Sequence, residues 1–441
     1  MNRIVIPTLL ATLGIAAAAR AQLPFSVGAT LATPARPSGS AVGDFNGDGR
    51  ADIAVASDTP DRIAIYLQAA DGSFGAGPVI FTGSGSGPES LIAADIDGDG
   101  RMDPVVALHN ANFVRAYRNT ASGFVAGSSV STGANPHTLH AADLNGDGAL
   151  DFVAANRDGN SLTVIRNTAG VLSAEATITT NVSEPRGMAV GDFNADGNVD
   201  IAVANHRSRN IAIFMGQGNM AFAAGTTLAA PINERPEGIA AGDLDGDGDI
   251  DLVATAGEAT INVVGIYRNS AGVFASPVAV GTGGMSPSRV ELVDLTADGR
   301  AEIVVANEDS GGIAIIQNVS SDGSLQLDPP SIYATGAHPE EFAIADVNGD
   351  SKPDIVVPNR DADTTVVLIN GVAGSGGGVG GGGTTPPCAA DWDHDGHLST
   401  QDIFEYLNGW FAGEDRCDFD HNGRRGADDV IEYIGAWMNG C

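Results

Sequence analysis

The chain has one lysine, three cysteines, and aromatic residues at only 5% of its 441 positions. Basic residues number 22, 21 of them arginine, and the formal net charge is −33. No basic stripe exists to neutralise phosphates, so nucleic acid is excluded as a partner. Long apolar runs are also scarce. One, over 4–19, follows Arg3, and no other stretch is long enough to cross a bilayer. Ala19-Arg20-Ala21 fits a small-x-small cleavage site, so residues 1–21 read as a signal peptide and the mature chain is expected to start at Gln22. The expected location is secreted, extracellular or cell-surface, with no transmembrane segment after cleavage; disulfides persist there and calcium is plentiful. The sequence shows no nucleophile elbow, glycine-rich phosphate loop or zinc motif.

What the chain has in excess is acid, and the acid is ordered. An apolar content of 43% is ample for a core, so the charge does not signal disorder. The run Asp44-Phe45-Asn46-Gly47-Asp48-Gly49-Arg50-Ala51-Asp52 places oxygen-bearing side chains at positions 1, 3, 5 and 9 and a glycine at 6. Hard cations need six to eight oxygen ligands, and the glycine permits the sharp turn that points them inward. The pattern recurs from Asp95, Asp143, Asp192, Asp243, Asp294 and Asp346, at intervals of 48 to 52 residues. Seven residues before each of the seven first acids stands a proline: Pro37, Pro88, Pro136, Pro185, Pro236, Pro287 and Pro339.

Each unit reads as four short strands. In the second, 91–94 enters the acidic loop, 104–108 leaves it, 115–119 is a third strand and 124–132 a fourth. These runs are β-branched, lack a helical period and are punctuated by Gly, Asn and Asp. Four-strand units at this period are propeller blades. The seventh unit stops near 370 without a fourth strand, while 25–31 (FSVGATL) matches the fourth-strand pattern that starts at Phe74, Phe124, Phe222 and Phe274. The N-terminal segment is therefore expected to complete the last blade and leave no open sheet edge. The fold expected is all-β, a seven-bladed β-propeller over 22–370.

These units resemble the FG-GAP/VCBS repeats of integrin-α-type propellers. The resemblance implies calcium (Ca2+) in the loop between the first two strands of each blade, up to seven ions in all. The implied side-chain ligands are Asp44, Asn46, Asp48 and Asp52; Asp95, Asp97, Asp99 and Asp103; Asp143, Asn145, Asp147 and Asp151; Asp192, Asn194, Asp196 and Asp200; and Asp243, Asp245, Asp247 and Asp251. The sixth loop offers Asp294, Asp298 and Glu302, with Thr296 at position 3. The seventh offers Asp346, Asn348, Asp350 and Asp354, with Ser351 where glycine is usual, so a residue with a Cβ must adopt the left-handed turn. A plainer reading makes these Asp-Gly turns, common in β proteins. Against it, 23 of the 55 acids occupy ligand positions, where they repel one another without cations. At roughly millimolar calcium and affinities of about 0.1–1 mM, seven sites contribute about 3–10 kcal/mol, as much as a whole domain's stability.

Residues 371–387 (GVAGSGGGVGGGGTTPP) form a flexible linker with a reach of about 20–25 Å. Residues 388–441 hold all three tryptophans and a second repeat at an interval of 27. Asp391, Asp393, Asp395, Ser399 and Asp402 stand at positions 1, 3, 5, 9 and 12 of an EF-hand-type loop, and Asp418, Asp420, Asn422 and Asp429 at 1, 3, 5 and 12 of another. Each loop leads into an apolar stripe at helical spacing. This tail resembles a dockerin, a small α-helical paired EF-hand domain, which implies two more calcium ions and a cohesin-like or surface partner. Three single disulfide pairings are open among Cys388, Cys417 and Cys441; one joining Cys388 to Cys441 would bracket the domain.

For function, the leading expectation is a non-enzymatic binding or adhesion module with a glycan or protein ligand on the face opposite the acidic loops. Arg157, Arg186, His206, Arg207 and Arg209 are expected to form a cationic patch there, and His140 and Glu291 to line the central channel. The alternatives are an extracellular polysaccharide-active enzyme of lyase-like propeller type and a structural cell-envelope protein. No catalytic residue or organic cofactor is assigned.

Overall fold

The computed structural model describes residues 22–257, 262–320 and 323–372. The expected signal peptide, the expected linker beyond 372 and the expected dockerin-like tail, with its nine ligand candidates and its cysteines, lie outside the described residues. The chain divides into two units, Met1–Val372 and Ala373–Cys441.

Seven four-stranded antiparallel sheets make up the first unit. Blade 1 runs Ala35–Gly43, Asp52–Thr59, Asp61–Gln68 and Phe74–Phe81, and blade 2 runs Pro88–Ala94, Asp103–Leu108, Phe113–Thr120 and Gly123–Ser131. Blades 3 to 6 repeat the order. Blade 7 takes Ala343–Ala345, Asp354–Asn359 and Thr364–Asn370 from one end of the unit and Phe25–Ala32 from the other. Phe25 pairs with Asn370 and Ala32 with Thr364, so the N-terminal strand closes the ring as expected. Among the described residues there is no α-helix, only a 3-10 turn at Pro231–Asn233, and no helix is long and apolar enough to cross a membrane.

The position of each strand explains its composition. First strands lie innermost, packed against the first strands of the neighbouring blades. Second strands such as Asp103–Leu108, Asp200–Asn205 and Glu302–Asn307 are buried along their whole length. A sheet clasped between two neighbours has no solvent face, so its central strand reads as a continuous run of Val, Ile and Ala without alternation. Fourth strands, on the rim, are mostly exposed, as in Val171–Ile178.

The core is divided by seam. Ala54, Ile65, Leu91 and Val106 pack where blades 1 and 2 meet, and Ile53, Val55, Val347 and Val356 where blade 7 meets blade 1. The recurrent Phe at the start of the fourth strand belongs to this packing. Phe124 of blade 2 stands edge-on to Phe45 in the acidic loop of blade 1, and Phe274 of blade 5 to Phe193 of blade 4. Position 2 of every acidic loop is buried: Phe45, Ile96, Leu144, Phe193, Leu244, Leu295 and Val347. The loop is thus pinned by an apolar plug beneath an acidic cap.

Candidate functional site

Each acidic loop is wound around its first carboxylate. In blade 1, Asp44 Oδ1 accepts from the amides of Asn46, Gly47 and Asp48 at 3.2, 2.7 and 3.2 Å, and Oδ2 accepts from Gly49 at 2.7 Å. Burial opposes ionisation of Asp44, but the four amides outweigh it and hold the carboxyl below its usual range. This winding needs left-handed backbone twice, at Gly47 (φ 78) and Gly49 (φ 81). Position 4 carries Ala195 and Ala297 in blades 4 and 6, at φ 57 and 55, and Ser351 takes φ 63 as the sequence required.

The position-9 acid faces inward. Asp52 is fully buried; its Oδ2 accepts from Phe45 N at 3.0 Å and its Oδ1 from Gln68 N at 2.8 Å. Asp251 repeats this with Leu244 at 3.1 Å and Asn269 at 2.7 Å. Glu302, the one longer acid, reaches the equivalent amide of Leu295 at 2.8 Å. Burial pushes Asp103, Asp251 and Asp354 up to about 6 and Glu302 up to about 7, against the pull of their backbone donors.

Positions 3 and 5 complete the cluster. Carboxylate oxygens of Asp95, Asp97 and Asp99 lie within 4.8 Å of one another, as do those of Asp243, Asp245 and Asp251. Asp245 is 4% exposed and its Oδ1 is buried without a hydrogen-bond partner; Thr296 Oγ1, at position 3 of the sixth loop, is in the same state. Buried acceptors rarely stay unpaired, and an all-oxygen set of this kind suits a hard cation. Position 3 is also roofed by the next blade: Gly170 packs against Asp97, Gly272 against Asn194, and Gly323 N donates to Asp245 O at 3.0 Å.

The opposite end of the channel is differently built. The residue after each spaced proline points to the channel mouth, giving Ser38, Glu89, His137, Arg186, Glu237, Ser288 and Glu340; the residue near or just past the end of the second strand is charged or an imidazole in six of the seven blades (Asp58, His109, Arg157, His206, Glu308, Arg360), blade 5 having Gly257. Together with Arg289 and Glu341, most of them line a cavity of about 230 Å3 without an aromatic wall. Arg186 donates to both oxygens of Glu237 at 2.6 and 2.8 Å, Arg360 donates to Glu340 at 2.8 Å, and Arg289 pairs with Glu341. Arg157 is the most loosely held of these four guanidinium groups, 3.9 Å from Asp158 and 4.0 Å from Glu184.

The FG-GAP-like repeat family matches at 44–106, 143–203, 192–254 and 294–357, over half of the chain, and each match starts at a first loop acid. The chain belongs to that family. All seven acidic loops fall inside the matched segments. The crystal structure of a protein from Lactobacillus plantarum is similar in fold, with a TM-score of 0.51 and 18% identity over 68% of this chain and 86% of that one. No curated protein matches the chain.

For this FG-GAP-like propeller, the sequence located every loop but missed what ties the loops together. Asn119 Nδ2 donates to Phe45 O of the previous blade at 2.9 Å, and Asn167, Asn269, Asn318 and Asn370 do the same to Ile96, Phe193, Leu244 and Leu295 at 2.7–3.0 Å. Gln68 bonds Val347 O across the closing seam. Only the seam between blades 3 and 4 lacks this stitch, because Gly216 stands at the position. The signal was legible: each residue lies 16 to 18 positions after the position-9 acid. The cationic patch needs correction. Arg157, Arg186, His206 and Arg207 gather around Glu184 and Glu237, so charges of both signs are interleaved; Arg209 instead contacts Asn233 O at 3.4 Å. His140 and Glu291 do face the channel, lining a second cavity of about 470 Å3.

Proposed function

We propose that this propeller is an exported, calcium-stabilised binding module that holds a hydroxyl-rich ligand, a glycan, at the channel mouth opposite the acidic loops. The mouth cavity carries this reading. It is lined by four arginines and five glutamates; each carboxylate accepts hydroxyl protons and each guanidinium donates in a fixed fork, so a polyhydroxylated ligand meets partners of both kinds. Its lining lacks the apolar walls usual in pockets for apolar ligands. Calcium in the seven loops holds the blades in register, with the unpaired Asp245 Oδ1 as a ligand in waiting. The leader directs export, and the dockerin-like tail attaches the module to a cohesin-like or surface partner.

A second reading, a polysaccharide-active enzyme, draws on the divergence of two carboxyls around one arginine. Burial alone would raise both, but His109, His137 and Arg360 hold Glu89 low, while Glu340 stays high because burial and the Glu89 charge outweigh Arg360. Such pairs supply an acid and a base at one pH. A glycan array on the full chain, followed by a reducing-end assay on each hit, separates the readings. Binding without new ends, weakened at least about 10-fold by Arg157→Gln with stability changed by less than about 1 kcal/mol, supports the module. New reducing ends support the enzyme. Hits unaffected by Arg157→Gln place the ligand elsewhere.

A further inference from the structure

On the face opposite the acidic loops, three chemically different side chains converge where blades 1 and 2 meet. Asp58 lies one residue before the end of the second strand of blade 1, Glu89 follows Pro88 on the first strand of blade 2, and His109 follows Asp103–Leu108. One ligating atom from each lies within 4.8 Å of the other two. Glu89 is 6% exposed. Asp58 Oδ1 is buried and unpaired, and His109 Nδ1 stands 3.2 Å from Glu89 Oε2 in a close imidazole–carboxylate contact.

The surroundings hold this arrangement in place and leave it room. His109 N donates to Gly87 O at 2.8 Å, and a Cβ at Gly87 would lie 2.6 Å from His109 Cε1, so the imidazole ring rests against a glycine. Asp61 fixes that turn by accepting from the amides of Gly85 and Gly87 at 2.8 and 2.7 Å. The nearby guanidinium groups use the other oxygen of Asp58: Arg360 and Arg36 sit 3.3 and 3.6 Å from Oδ2, leaving Oδ1 turned to the cluster. A cavity of about 90 Å3 lies beside Glu89 and His109, its remaining lining being Asn135, His137, Arg157 and Arg360. That space admits water beside the cluster.

One imidazole and two carboxylates form a donor set unlike the all-oxygen loops. Calcium and magnesium take oxygen ligands, whereas zinc and its first-row neighbours take imidazole together with carboxylate. We propose that Asp58, Glu89 and His109 form a zinc-class metal site at the channel mouth, separate in place and in metal preference from the acidic loops.

The test is isothermal titration of the full-length protein with zinc in saturating calcium, comparing wild type, His109→Ala and Glu89→Gln. Zinc taken up by the tail histidines and cysteines is common to all three, so the difference reports this site. The expected result is one more zinc equivalent in wild type, weakened more than about 100-fold in each variant, since losing outer-shell partners alone costs about 10–100-fold. Equal zinc stoichiometry and affinity in the three proteins overturns the proposal. If circular dichroism shows that either variant fails to fold, Asp58→Asn carries the same comparison.

Discussion

The two faces of the propeller use charge in opposite ways. On one, seven loops repeat a single solution: a carboxylate wound in backbone amides, a second buried beneath it, and oxygens converging between them. On the other, the residue after each spaced proline varies from blade to blade among Ser, Glu, His and Arg, and opposite charges pair directly. Repetition in register marks what every blade needs to hold its place. Variation at a shared position gives a surface that differs from blade to blade, as the proposed recognition of an asymmetric ligand requires.

Removal of calcium should give the largest effect and confine it to the first face. Chelation at neutral pH should cost about 3–10 kcal/mol, seen as a large drop in the calorimetric midpoint that added calcium restores. Next comes Asp251→Ala, which leaves the buried amides of Leu244 and Asn269 without an acceptor. At about 1–3 kcal/mol per orphaned group, denaturant unfolding in chelator should show a loss of about 2–6 kcal/mol. The same assay on Asp48→Ala, at an exposed position of the blade 1 loop, should register about 0.5 kcal/mol or less. A loss between those two, about 1–3 kcal/mol, is expected for Asn119→Ala, which unpairs the Phe45 carbonyl across a seam. Gly216→Asn should not add the missing stitch, because its Cβ would lie 2.2 Å from Val199 O.

The pH dependence should separate the cation-free and calcium-loaded states. Burial raises the carboxyls of Asp103, Asp251, Asp354 and Glu302 to about 6 or 7 in the folded chain. A group raised on folding adds stability below its unfolded pKa, and that stability is lost as pH climbs through the folded value. In chelator, stability should therefore fall between about pH 4 and pH 7. In saturating calcium, which binds the ionised carboxylates, that fall should vanish or reverse. Thermal melts across pH with and without calcium check both arms.

Much of this was written into the repeat. The period, the strand order and the closing role of Phe25–Ala32 follow from spacing, because a blade is a local unit whose turns and apolar runs lie close in sequence. The inward turn of the position-9 acid did not follow. It depends on a partner amide 16 to 18 residues away, and the sequence reading took the acid for a cation ligand alone. The stitching asparagines bond about 75 residues back, to a carbonyl with no side-chain signature. At the mouth, Arg186 was visible as a cation, but its neutralisation by Glu237 crosses a blade boundary and appears only when the ring is assembled.

The central claim, that the repeated face fastens the ring while the irregular face recognises, is tested most directly by hydrogen exchange on the full chain with and without calcium. The account predicts that calcium raises protection at amides wound into the acidic loops, such as Gly98, Asp99 and Gly100, and at the position-9 partner Asn119, and leaves the mouth amides around His137 unchanged. Protection that changes mainly at the mouth, or nowhere in the seven loops, would contradict it.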